Sequence, residues 1–206
     1  MPTLRTPRLL LRPIVEADRA AWLEADIANG AFWAKWIPGF GPEDPPTPEA
    51  RFERELVATR DGLGNASAFR FGAFDIASNA VVGWCVLNRI DRRSTLSADM
   101  GWRLVESRLH QGLALEMCSA LLAFAFRALP EGEESNERDE HNGGDAPGAG
   151  LHRIQAAIAP QNIRSIQLAN RLSLRCEGMA KGLHRHNGVW QDCLMYAMLS
   201  DECRWQ

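Results

Sequence analysis

The sequence has no broad excess of basic charge. Its 206 residues carry 23 Lys and Arg against 26 Asp and Glu, a formal net charge of -3, which argues against nucleic acid as the main partner. Cysteine is sparse: Cys85, Cys118, Cys176, Cys193 and Cys203 form an odd, scattered set with no CxxC pair. None of the spacings of a zinc site is present, so no metal is expected and a reducing, cytoplasmic compartment is the simplest reading. A signal-peptide core is missing too, because Arg5, Arg8 and Arg12 interrupt the first apolar runs. The most apolar window, residues 113–129, contains Glu116, Ser119 and Arg127 and falls short of the roughly 20 residues that span a bilayer. No membrane association is expected, and no internal repeat is visible. What remains, 46% hydrophobic and 24% charged residues, is the composition of a globular chain able to build one sizeable core.

Residues 8–12 have the pattern of a short strand closed by Pro13, and residues 16–29 have helical spacing. The Pro- and Gly-rich stretch 37–48 is a loop, followed by a helix over 49–60. Trp33, Trp36 and Phe40, just before or within that loop, either border an acceptor pocket or anchor the loop to the core. Two β-prone runs, 69–76 and 80–90, flank Ala77-Ser78-Asn79 and predict a hairpin, with a third run at 96–105 completing a meander. An apolar helix then runs from 111 or 112 to 129 and ends at Pro130. Residues 131–149 are almost devoid of apolar side chains, so a flexible acidic insert is expected there. A strand over 151–158, a helix over 162–172 and a strand pair around Asn187-Gly188, the preferred centre of a type I′ turn, complete the chain. The order implies one α+β domain over 6–199, with a mixed, mostly antiparallel sheet of about seven strands, about four helices and a tail at 200–206.

Two local patterns carry chemistry. A strand at 96–105, a short loop and a helix opening at Gly112 offer unpaired N–H groups at the positive end of a helix dipole, which suits a pyrophosphate. The segment Leu109-His110-Gln111-Gly112-Leu113-Ala114 supplies the glycine and a small residue, although plain turn chemistry would use the same glycine. Further on, Asn162 and Ser165 share one face at the start of a helix, where Asn162 could equally be a simple N-cap.

In this order, and with Thr6-Pro7-Arg8-Leu9-Leu10-Leu11-Arg12-Pro13, Val82-Gly83-Trp84, Ala98-Asp99-Met100-Gly101-Trp102-Arg103-Leu104, Leu151-His152-Arg153-Ile154 and the closing Asn187 to Tyr196 run, the chain resembles the GNAT superfamily of N-acetyltransferases. The resemblance covers nearly the whole chain and is closest to the RimJ/RimL-like ribosomal-protein branch. It implies that acetyl-CoA, the acyl donor, lies in a splay between the strand ending near Leu104 and the strand at 151–158. Backbone of Trp102, Arg103 and Leu104 would pair with pantetheine, the loop Leu109, His110, Gln111, Gly112, Leu113, Ala114 would hold the pyrophosphate, and Asn162 would bond pantetheine or nearby backbone. Two departures stand out. Leu109 sits where the family usually has Arg or Gln, and His110 replaces a common glycine, so weaker CoA binding is expected, with Arg108 or His110 compensating. Ser173-Leu174 stands where Gly-Phe is usual, which bears on a helix exit rather than on chemistry.

Acetylation by direct attack needs a neutral amine and a proton donor for the thiolate. An α-amine with a pKa of about 7.7–8.0 is partly neutral at physiological pH, whereas lysine near 10.4 is not, so an α-amine demands less base. Ser165 matches the branch's serine near the CoA sulfur; a backbone-bonded helix serine is the alternative. Asp99 could take the amine proton, or simply pair with Arg103 or Arg153. His184, seven residues after Glu177, titrates in the right range for a base. Tyr196, the only tyrosine, is expected to pack. The favoured acceptor is a protein or peptide α-amine; a small amine such as an antibiotic or polyamine, and a non-catalytic CoA-binding module, are the alternatives. The strongly apolar helix opening at Gly112 also raises the possibility of a homodimer.

Overall fold

The structure is a computed structural model that describes residues 2–37, 47–128 and 148–204. A Thr6 turn starts the sheet: Leu9 N–H donates to Thr6 Oγ1 at 2.8 Å and Thr6 N–H to the Leu9 carbonyl at 2.9 Å, folding β1 (Leu4–Arg5) onto β2 (Leu9–Arg12). Two-residue β1 is too short to show an alternating pattern, and it makes the sheet eight-stranded rather than seven-stranded. The meander follows as expected: β3 (Phe69–Asp75), β4 (Val81–Asp91) and β5 (Ser97–Leu104), each antiparallel to the last. Beyond it lie β6 (Arg153–Ile158), β7 (Arg175–His186) and β8 (Val189–Leu199), in the order β1-β2-β3-β4-β5-β6-β8-β7. Asn187 and Gly188 take φ of 49° and 78° at the last hairpin, the left-handed pair that a type I′ turn demands.

Helices cover both faces. α1 (Arg19–Trp33) extends four residues past the expected end, and α2 (Pro48–Gly64) is capped by the Thr47 side chain. They pack Trp22, Trp33 and Phe52 against Phe74 and Trp84. On the other face α3 (Leu113–Phe126) buries Met117, Cys118, Leu121 and Leu122 against Leu9, Leu11, Phe71 and Leu87. The apolar character that raised a homodimer is therefore satisfied within the chain. α4 (Ile163–Arg171) completes the four α-helices among the described residues.

Two boundaries move. The acidic stretch lies outside the described residues as far as 147, but Ala149, expected within the insert, is fully buried and donates its N–H to the Phe124 carbonyl at 2.8 Å. Residues 200–204, expected as a tail, begin with a 3-10 turn whose Ser200 N–H bonds the His152 carbonyl at 2.9 Å, and Cys203 packs on the core. At the exit of α4, Ser173 holds φ of 69°, the conformation the usual glycine would adopt freely, while Leu174 is buried in the place of an aromatic.

Candidate active site

The one parallel pairing among the described residues is also the opening of the sheet. β5 and β6 are in register only from Ser97 to Asp99 against Arg153 to Gln155, while both strands run on to Leu104 and Ile158. Beyond Asp99, β5 pairs with β4 alone, so its other edge faces a gap. The indole N–H of Trp33 donates to the Leu104 carbonyl at 2.8 Å and fastens the end of β5 to α1.

Below the gap, the loop into α3 leads to a left-handed glycine. Gly112 is the N-cap at φ 78°, and the first-turn N–H groups that follow have no partner inside the helix. His110 stands at φ 61°, so the departure from glycine falls on another left-handed residue. Leu109 packs on the main core. Gln111 folds back to donate to the Ser107 carbonyl at 3.1 Å. Arg108, expected to compensate for Leu109, instead faces Asp75 at 3.7 Å. Sequence reasoning missed Arg8, whose guanidinium donates to the Gln111 carbonyl at 2.9 Å and pairs with Glu116 at 2.6 Å. Burial pushes the Glu116 carboxyl up, but hydrogen bonds from Thr6 and from Arg8 outweigh it and hold the group below its ordinary value. The network ties the N-terminal strands to the first turn of α3.

Two cavities adjoin the gap. The smaller, about 310 Å³, is lined by Leu109, His110, Gly112, Leu113 and Ala114 of the loop and by Arg164 and Arg171 of α4. Those two arginines are seven residues apart, two turns on one helix face, and that spacing was the signal available in the sequence. The larger cavity, about 630 Å³, runs over β3, β4 and β5 under α2, past Arg70, Val86 and Gly101. Both volumes fall in the range of small-molecule sites. The two share Trp36, Ile37, Trp102, Arg103, Asn162 and Ser165, so they meet at the start of α4.

At that junction Asn162 caps α4 by accepting from Ser165 N–H at 3.2 Å. The Ser165 hydroxyl has no hydrogen-bond partner among the described residues, unlike Ser119, whose hydroxyl bonds the Leu115 carbonyl one turn back at 2.7 Å. Half-buried Arg103 lies over the rings of Trp33 and Trp84, at 4.6 and 4.4 Å. Desolvation pushes its pKa down to about 10, with Glu55 and Asp26 pulling the other way.

The remaining candidates lie elsewhere. Asp99 and His184 line neither cavity. Asp99 accepts from Gln155 Nε2 at 2.7 Å and pairs with Arg89, rather than with Arg103 or Arg153; Arg153 pairs with Glu177 on β7, beyond the intervening β8. Half-buried His184 has its pKa lowered by burial and then by the Arg89 charge. Tyr196 is buried in the main core, as expected of a packing residue.

A split sheet whose two cavities meet at one point is the arrangement a two-substrate transfer requires. Residues 8–175 match the family described as the acetyltransferase (GNAT) domain, and the chain belongs to that family as an N-acetyltransferase. It is 27% identical over 201 residues to the ribosomal protein uS5-alanine N-acetyltransferase of Escherichia coli (strain K12), covering 97% of this chain and 91% of that one. Among solved structures it resembles ribosomal-protein-S5-alanine acetyltransferase from Vibrio fischeri, with a TM-score of 0.77, 21% identity and coverage of 99% and 98%. It also resembles Mycobacterium smegmatis RimJ in complex with CoA-disulfide, with a TM-score of 0.79, 21% identity and coverage of 97% and 87%.

Proposed function

We propose that this protein transfers an acetyl group from acetyl-CoA to the α-amine of a protein or peptide. The observation that carries the reading is the meeting of the two cavities at Ser165, one from the glycine-capped loop and one from the open face under α2. The names of the relatives, which act on ribosomal-protein alanine or hold CoA, support the same donor and acceptor. Main-chain N–H groups from Leu109 to Ala114, with the α3 dipole behind them, would hold the pyrophosphate, and Arg164 and Arg171 add positive charge on the facing wall. Leu104 already gives its carbonyl to Trp33, so pantetheine pairing falls mainly to Trp102 and Arg103. The bound donor supplies an activated thioester. The amine nitrogen bonds to the acetyl carbon as the carbon–sulfur bond breaks; the Ser165 hydroxyl gives its proton to the sulfur and regains one from solvent, which also takes the proton of the amine. Three of the five free thiols are buried in the body of the protein, consistent with a reducing, cytoplasmic setting.

Isothermal titration with acetyl-CoA, combined with thiol release over a panel of peptide α-amines and small amines, tests the reading. Binding with peptide-dependent release is expected. Release only with small amines supports the small-molecule alternative, and binding without any release supports the non-catalytic module.

A further inference from the structure

The floor of the larger cavity follows β4. Trp84, Val86 and Asn88 alternate onto one face of that strand and line the cavity, with Gly101 and Arg103 opposite the first two on β5. From Trp84 to Leu87 the strand is paired with β3 on one side and β5 on the other, so this floor has side chains rather than backbone to offer an occupant. Several of the polar ones are committed: Arg70 holds Glu55 at 3.0 and 3.2 Å, Asn162 caps α4, and Arg103 lies on the indoles of Trp33 and Trp84. Asn88 is different. It is half-buried, it lines the larger cavity and not the smaller, and its carboxamide, like the Ser165 hydroxyl, has no hydrogen-bond partner among the described residues.

From this we infer that Asn88 binds the main chain of the acceptor, and that the acceptor is a polypeptide long enough to reach it rather than a single amino acid or a dipeptide. The inference rests on the α-amine reading and adds to it the acceptor's length and the residue that senses it. A carboxamide presents N–H donors and a carbonyl acceptor together, the complement of a peptide group, which has one of each. The geometry sets the spacing. Arg103, which lines both cavities, faces Trp84, and Asp99, four residues earlier on β5, faces Asn88. At about 3.4 Å per residue these two rows are about 14 Å apart. An extended acceptor whose amine lies at the junction, running along β4, therefore brings the peptide group after its fourth residue to Asn88. Between the two rows stands the pair Val86 and Gly101, where glycine leaves the floor clear of a side chain on β5. A polyamine or other small amine has no peptide group at that distance and makes no use of the carboxamide.

The experiment measures kcat/KM by thiol release for amidated peptides of one to six residues, alanine first and alanine or serine after it, with the native enzyme, Asn88→Ala and Asn88→Leu. Acetyl-CoA affinity and the thermal midpoint are measured alongside. For the native enzyme kcat/KM is expected to rise about fivefold between the three-residue and the five-residue peptide, as one neutral hydrogen-bonded contact allows, and in both variants the rise should shrink to less than about twofold. Acetyl-CoA affinity and the midpoint should stay in place, which separates a lost contact from misfolding. A native kcat/KM that is flat with length, a rise that survives in both variants, or a loss of acetyl-CoA affinity or stability in both overturns the inference and leaves the α-amine reading standing. No turnover of any peptide overturns both.

Discussion

The Trp33 indole N–H and the Leu104 carbonyl meet at 2.8 Å between two buried residues, joining the end of α1 to the end of the strand that parts from β6. Without this clamp, a buried carbonyl would lie unsatisfied at the mouth of the gap. Trp33→Phe keeps an aromatic ring beneath Arg103 but removes the donor, so a loss of about 1–3 kcal/mol is expected. Chemical denaturation measures it, and an unchanged midpoint would show that water replaces the indole.

Ser165 and Asn162 separate chemistry from structure. Ser165→Ala leaves the capped N–H intact, so it should lower turnover by about a hundredfold or more, in the range of a lost general acid, with little effect on CoA affinity. Asn162→Ala should cost about 1 kcal/mol of stability through the lost cap. Equal loss of turnover and affinity in Ser165→Ala would return the serine to a structural role.

His110 and Ser173 are departures from glycine at φ of 61° and 69°. A left-handed conformation costs an ordinary residue about 1–2 kcal/mol, so each of His110→Gly and Ser173→Gly is expected to raise stability by about 1 kcal/mol. Only His110→Gly should also tighten CoA binding, because only His110 lies in the loop lining the smaller cavity. Thermal melts with and without CoA distinguish the two.

His184 and Asp99 gather around Arg89, away from both cavity linings. His184→Gln is therefore expected to change kcat/KM by less than about threefold and to leave the acid limb of its pH profile in place, since an α-amine demands little base. Disappearance of that limb would assign the base to His184.

Glu177 is held between Arg153, at 3.1 Å, and Arg175, at 2.9 Å, and its carboxyl is pushed from 4.5 down to about 2, first by the Arg153 hydrogen bond. A lowered folded-state pKa adds stability that is full above the unfolded value and is lost as pH falls from about 4.5 toward 2. The pair is partly exposed, so the contribution should stay below about 1 kcal/mol. Glu177→Gln should flatten the acid limb of a stability–pH curve by that amount.

The meander, the crossover helix and the final Asn-Gly hairpin were legible because each is written locally, in alternation, in helical spacing or in a turn dipeptide. The left-handed Gly112 that opens α3 was legible for the same reason. Other features were not. β1 is too short to carry a period, Ala149 looks like part of a polar stretch until Phe124 takes its N–H, and the partner of Asp99 lies on a neighbouring strand.

By itself the sequence determined the elements, their order and the residues that could serve a transfer, because helix, strand and turn preferences act over a few residues. Only the tertiary structure decided that β5 and β6 part after Asp99, that Ser165 stands where two cavities meet, and that Arg70 and Arg103 line the larger of them. Those relations join residues far apart in the chain, and they exist only once both faces of the sheet are covered and the strands take their register.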